Sequence, residues 1–397
     1  MLTFGAVTAP RKLKAKRKPR VTRPAKPSPV ALATVQQRLK PVTGHIENVA
    51  ALAPFFSRLA RAANELVPIL QFGDSHSASD DWVHSMRVRF QSKYGNGGPG
   101  FVTAGQFRYY RRWDAKVRSS AGWLGQGTIG KSGDQQHGLS GLSVTATRAN
   151  ETASLTASVA NLDLWFRRQP EGGSFTIEVD DQPGGAIETQ GELSTGVTSI
   201  SIPQGEHQVT IRTSSMSPVR LFGWVAQNQQ GVTWETLGIN GAQAGLMLEW
   251  DQSLWTEQLH KRNPALVLIA YGTNEALSRK WTAEEYRQTL KEIATRVRRT
   301  APNASLLLVG PPDCGRTRPF PHLAEVIAVQ RQVAREMGIA FWDWRAHMGG
   351  PGANRTWVRA GLAQPDYTHL TSEGYRATGA VLAGELELEF EAWASWN

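Results

Sequence analysis

Four short blocks hold residues whose types and spacing suit acyl transfer. Gly73-Asp74-Ser75-His76 puts a hydroxyl just past an apolar run, and Asp366-Tyr367-Thr368-His369 puts a carboxylate three residues before an imidazole. Gly272-Thr273-Asn274 and Gly238-Ile239-Asn240-Gly241 each follow another apolar run and offer amide donors. A serine attacks a carbonyl when a base takes its proton, an acid holds that base in one tautomer, and fixed N–H groups meet the oxyanion. Gly-Asp-Ser alone is ordinary turn chemistry, so the partners downstream give it weight.

These residues need a scaffold that brings strand ends together. The run 67–72 has the length of a buried strand, and open α/β sheets place their chemistry beyond the carboxyl ends of strands. Gly73 permits a tight turn, and Ser79-Asp80-Asp81 offers capping oxygens before Trp82, Met86 and Phe90 recur at helical spacing. Further strands are expected at 265–271, 305–310 and 339–344, with helices at 244–259, 282–299, 323–337 and from 371 to about 393. Leu52, Phe55, Phe56, Leu59, Ala63 and Leu66 mark one more helical face. The alternation predicts an α/β fold, a parallel sheet with helices on both faces.

Ser75 and Gly241 lie 166 residues apart (241 − 75), far more than one crossover needs. Between them 142–147, 175–179 and 209–212 alternate with a period of two, with turns expected at Asp180-Asp181-Gln182-Pro183-Gly184-Gly185 and Pro203-Gln204-Gly205-Glu206. This predicts a β-sandwich inserted at 114–230, between hydrolytic segments at 44–113 and 231–397. Trp113, Trp123, Trp165 and Trp224 in or beside it are expected as core residues before sugar-stacking rings.

The net charge of +10 is local. Residues 1–40 hold eleven Lys or Arg and no acid, which leaves 33 basic against 34 acidic residues elsewhere. A basic, proline-rich tail over 1–43 is expected to be disordered and able to touch anionic surfaces weakly. No interleaved aromatics suggest a specific nucleic-acid partner. The apolar stretch 1–7 precedes the basic run, the reverse of an export signal, so no signal peptide is legible. Cys314 is the sole cysteine and is expected as a buried, inert thiol. His84, His137, His207, His260 and His347 show no metal-ligand spacing, so no metal is expected.

The four blocks resemble those of the SGNH (GDSL-type) hydrolases, whose named residues would fall on Ser75, Gly241, Asn274 and His369. The resemblance implies a three-layer, flavodoxin-like sheet and a Ser75–His369–Asp366 triad. It also implies an oxyanion hole of the Ser75 and Gly241 backbone N–H groups and the Asn274 amide, with Gly238 as a nearby competitor for Gly241. No cofactor is implied.

His76, in place of the usual leucine, resembles the bacterial peptidoglycan O-acetylesterases of that superfamily, which carry a comparable carbohydrate-binding-module-like β-sandwich. This implies an acetylated glycan as substrate, most specifically O-acetylated peptidoglycan, and a periplasmic or envelope location. Acyl transfer, deacetylation of another polysaccharide and non-catalytic glycan binding are the alternatives. Asp74 is expected to tie down the turn, His76 to pack or touch substrate, and Glu275 to act as a structural hydrogen-bond partner.

Overall fold

The computed structural model describes residues 26–315 and 320–396. Chain order begins with β1 (Leu66–Gly73) and runs through β2 (Gly100–Thr103), β3 (Lys116–Ser119), β4 (Leu124–Gln126) and β5 (Ser143–Ala146). It continues with β6 (Thr152–Arg168), β7 (Ser174–Val179), β8 (Gln182–Glu188), β9 (Ser194–Thr213) and β10 (Val219–Gln227). Then come β11 (Gly231–Gly238), β12 (Leu266–Ala270), β13 (Ser305–Val309) and β14 (Ala340–Trp342). Five of these form a parallel sheet in the order β11-β1-β12-β13-β14.

Strand alternation builds two cores from one sheet. Leu70, Phe72, Val267, Ile269, Leu306, Leu308 and Phe341 point to one face, where Leu259, Leu290, Ile293, Val326 and Val333 of three helices cover them. Val67, Ile69, Leu266, Leu268, Leu307, Val309 and Trp342 point to the other, under Phe55, Trp82, Met86, Phe90, Leu382 and Leu386. Each fully buried aliphatic or aromatic side chain contributes about 1.5–3 kcal/mol, so both layers hold the sheet strongly. This is the three-layer arrangement that the sequence implied.

Register fixes where the chemistry emerges. Gly73 of β1 pairs with Gly238 of β11 and with Ala270 of β12, so all three strands end on one line. Ser75, Gly241 and Asn274 follow within a few residues of that line. A Cβ on Gly238 would meet the Asp74 carbonyl at 2.8 Å and also strike the Ala78 amide, so only glycine lets β11 end against the serine turn.

The remaining nine strands form one antiparallel sheet in the order β4-β5-β10-β6-β9-β7-β8, with β2 on β10 and β3 on β6. β2, which precedes the expected boundary at 114, is therefore part of it. β6 and β9 pair along almost their whole lengths, broken by a bulge between Val159 and Asn161. That bulge flips parity: Ala153, Leu155, Ala157 and Val159 face the same core as Leu162, Leu164 and Phe166. The opposite face sends Phe101, Trp165 and Phe222 into the core of the parallel sheet.

Two expectations need correction here. The turn placed at 203–206 lies inside β9, because pairing with β6 continues on both sides of the bulge and outweighs local turn preference. The tail expected over 1–43 is ordered in part, since Pro29–Gln36 is a helix capped by the Ser28 side chain. Its Ala31 and Val35 are buried, and the Ser28 amide donates to the Arg359 carbonyl at 2.8 Å. Apolar burial against the body supplies what the basic composition lacked. Residues 1–25, which carry most of the basic run, lie outside the described residues.

Candidate active site

Ser75 opens a four-residue helix, Ser75–Ala78, capped by the Asp74 side chain, which accepts from the His76 amide at 2.9 Å. His369 comes from the loop before the terminal helix Ser372–Ala394, itself capped by Thr371. That loop is held from several sides. Gln364 donates its amide to the His369 carbonyl at 2.8 Å, and Asn354 Nδ2 donates to the Tyr367 carbonyl at 2.9 Å.

The two segments meet in a relay. Ser75 Oγ lies 2.9 Å from His369 Nε2, and His369 Nδ1 lies 2.8 Å from Asp366 Oδ2. Asp366 Oδ1 accepts from the amides of Thr368 (2.9 Å) and His369 (3.0 Å), which fixes the carboxylate plane. Burial would raise the Asp366 carboxyl, but the hydrogen bonds from the imidazole and the two amides win and hold it at about 2. The hydrogen bond to Asp366 in turn raises His369 above the ordinary histidine value, against the opposing effect of burial. An imidazole so placed can take a proton from the serine and return it to a leaving group.

Gly241 and Asn274 line the same cleft of about 760 Å³ as Ser75, Asp366 and His369, whereas Gly238 lies outside it. Gly241 has φ +79°, and its N–H donates to no acceptor among the described residues. Asn274 Nδ2 uses one hydrogen on the Ala242 carbonyl at 2.9 Å, which orients the amide and leaves its second hydrogen.

Asp74, His76 and Glu275 are buried and lie outside the cleft lining. Burial raises Asp74 to about 6 and Glu275 to about 7. Glu275 accepts from the amides of Ala244 (2.7 Å) and Gly272 (3.0 Å), so it ties the Gly241 loop to the Asn274 turn. His76 Nδ1 meets the Tyr375 hydroxyl at 2.8 Å, and its ring packs against His369 and Trp344. Burial and the neighbouring His369 charge push His76 well below the usual histidine range, so it is a neutral wedge behind the relay.

Several contributors carried no sequence signal. Tyr375 sits on the apolar face of a long helix, and Tyr110, whose hydroxyl accepts from the Asn240 amide at 3.2 Å, comes from 130 residues earlier. Asn240 Nδ2 is buried beside the cleft without a partner among the described residues. Away from the cleft, His45, His347 and Glu385 bring three potential metal-ligating atoms within 4.8 Å of one another, a grouping invisible to sequence spacing. In the structure they satisfy one another, with His45 Nδ1 at 2.8 Å and His347 Nε2 at 3.4 Å from the Glu385 carboxylate.

The parallel sheet, with the cleft at its carboxyl edge, is an SGNH-like fold. Residues 201–377 match the GDSL-like Lipase/Acylhydrolase family, a span that includes Gly241, Asn274, Asp366 and His369. A solved peptidoglycan O-acetylesterase shares 28% sequence identity, with 86% of this chain and 97% of that one covered at a TM-score of 0.75. Much weaker similarity extends to a family two carbohydrate esterase from Clostridium thermocellum (12% identity, covering 71% of this chain and 100% of that one, TM-score 0.31). A lipase/acylhydrolase from Enterococcus faecalis is comparably distant (21% identity, covering 40% of this chain and 77% of that one, TM-score 0.33). No curated protein matches the sequence. Over residues 201–377 the chain is similar to the GDSL-like acylhydrolases, and it is a carboxylic ester hydrolase.

Proposed function

We propose that this enzyme removes O-acetyl groups from peptidoglycan through an acyl-enzyme on Ser75. The observation that carries the reading is the Ser75–His369–Asp366 relay, with contacts of 2.9 and 2.8 Å, on a fold shared at 28% identity with a peptidoglycan O-acetylesterase. His369 Nε2 takes the hydroxyl proton as Ser75 Oγ attacks the acetyl carbonyl. The oxyanion is met by the N–H groups of Ser75 and Gly241 and by Asn274 Nδ2. Collapse breaks the ester C–O bond, and His369 returns the proton to the departing sugar oxygen. Water then attacks the acetyl-serine with His369 again as base, releasing acetate and free Ser75.

Such a substrate places the working enzyme in the cell envelope. Among the described residues no helix is long and apolar enough to cross a membrane. Acid quenching during turnover of an activated acetate ester, followed by peptide mass analysis, tests the covalent step. One acetyl group on the Ser75 peptide, absent in Ser75→Ala and in His369→Ala, is expected. Acetylation that persists in Ser75→Ala refutes Ser75 as the nucleophile.

A further inference from the structure

The segment 107–118 presents an arrangement that the hydrolytic relay does not use. Of the tryptophans in or beside the antiparallel sheet, Trp123, Trp165 and Trp224 are buried, whereas Trp113 is 48% exposed. Tyr109 is 72% exposed and lines the cleft that holds Ser75. It does so with φ +67°, a left-handed conformation that a bulky side chain rarely adopts and that costs on the order of one residue's worth of backbone strain. Trp113 stands behind the rim of that cleft, where its indole N–H donates at 3.2 Å to Oδ1 of Asp81, a lining residue.

Cations accompany the rings. The Arg108 guanidinium lies 4.6 Å from the Tyr109 ring centre and Arg111 lies 4.8 Å from that of Trp113. Lys116 and Arg118 alternate outward on β3. Among the described residues no carboxylate pairs with Arg108, Arg111, Lys116 or Arg118. Arg112 shows the contrast within the same segment, because it is spent on Asp114 at 3.0 Å and on the carbonyls of Pro99 and Phe101. Asp114 in turn pairs with buried Arg87 at 3.3 Å. The segment is thus pinned from below while four cations and two flat rings face outward. Arg111 and Lys116 also edge a second cavity of about 360 Å³ between the two sheets, which extends the track beyond the cleft.

We propose that 107–118 is a binding track for a carboxylate-bearing acetylated glycan, with sugar faces stacked on Tyr109 and Trp113 and carboxylates met by Arg108, Arg111 and Lys116. Flat rings suit the apolar faces of sugars, and unpaired guanidinium groups suit carboxylates. The chemistry separates an anionic glycan such as peptidoglycan from neutral acetylated polysaccharides. This inference rests on the esterase reading above and names the substrate class that the same cleft selects.

Binding measured in the Ser75→Ala background tests it, using native peptidoglycan, peptidoglycan whose carboxylates have been amidated, and acetylated xylan. Arg108→Ala/Arg111→Ala is expected to weaken binding of native peptidoglycan about fivefold to tenfold, the range for two exposed cations, and to flatten its salt dependence. Arg108→Lys/Arg111→Lys is expected to recover most of that loss. With the Ser75→Ala protein alone, amidated peptidoglycan is expected to bind as weakly as xylan.

In enzyme with Ser75 intact, the arginine-to-alanine pair is expected to lower the ratio of kcat/KM on native peptidoglycan to that on a small acetate ester, through KM. Equal binding of native and amidated peptidoglycan, or native binding unaltered by the double alanine variant, overturns the track. Failure of the esterase reading is read separately, as acetate release that survives Ser75→Ala.

Discussion

Replacing Asp366 by asparagine should inactivate the enzyme while leaving it folded, and the hydrogen bonds around the carboxylate say why. Oδ1 is fixed by two backbone donors, Thr368 N and His369 N, at 2.9 and 3.0 Å. An asparagine must keep its oxygen on those donors, so its NH₂ group turns toward His369 Nδ1. A donor there forces Nδ1 to accept and moves the ring proton to Nε2, which then cannot take the proton of Ser75 Oγ at 2.9 Å. The same exchange in other Ser-His-Asp triads drops kcat about 10⁴-fold.

The Asp366 side chain is 51% exposed, so water can partly substitute for the carboxylate. The expected loss in kcat is therefore about 10³- to 10⁴-fold, or about 4–5.5 kcal/mol of transition-state stabilisation. The assay is kcat and KM on a small chromogenic acetate, alongside urea unfolding. Because both backbone hydrogen bonds survive, stability should change by less than about 1 kcal/mol. An Asp366→Asn enzyme within about tenfold of the parent kcat would show that Asp366 does not set the imidazole tautomer.

Other expectations follow from the same geometry. Asn274→Ala should lower kcat about 10²- to 10³-fold with little change in KM, as expected for a donor used mainly by the oxyanion, and a near-parental kcat would contradict that role. The pH profile of kcat/KM should fall on the acid side through a group above the ordinary histidine value, because His369 must be neutral to act and its bond to Asp366 raises it. Asp366, held at about 2, stays ionised across that range and adds no limb of its own, and removing its charge should move the acid limb to lower pH. Arg87→Ala should destabilise the fold by about 3–5 kcal/mol in urea unfolding, since it removes the closest cation from fully buried Asp80, which Arg87 meets at 2.7 Å, and leaves Asp114 with Arg112 alone.

The readable parts of this protein were those decided by local chemistry. Strand runs such as 305–310 are continuous in sequence and end in turn residues, so the places of Ser75, Gly241 and Asn274 just beyond apolar runs were legible, while the choice of Gly241 and Asn274 came from the family resemblance. The helix Leu323–Met337 has the bounds that its apolar spacing marks. What escaped depends on pairing over distance. Pro203 to Glu206 carries turn chemistry, yet it falls at a bulge within β9, whose pairing with β6 resumes at Ser201 on one side and Gly205 on the other. The helix expected over 244–259 is two, because Trp250 has extended backbone and Asp251 caps a second helix, Gln252–Arg262.

The support of the cleft was hidden for the same reason. Tyr375 reads as core spacing and reaches His76 across 299 residues. In the sequence Tyr109 is one of four aromatic residues from Phe107 to Trp113. Only its exposed, left-handed placement at the cleft distinguishes it from Tyr110, which turns inward to the Asn240 amide.

The most direct measurement is acetate release from purified O-acetylated peptidoglycan by the parent enzyme and by Ser75→Ala, with acetylated xylan in parallel. The account predicts release from peptidoglycan that exceeds release from xylan and disappears in Ser75→Ala. Release from xylan alone, or release from peptidoglycan that persists without the Ser75 hydroxyl, would contradict it.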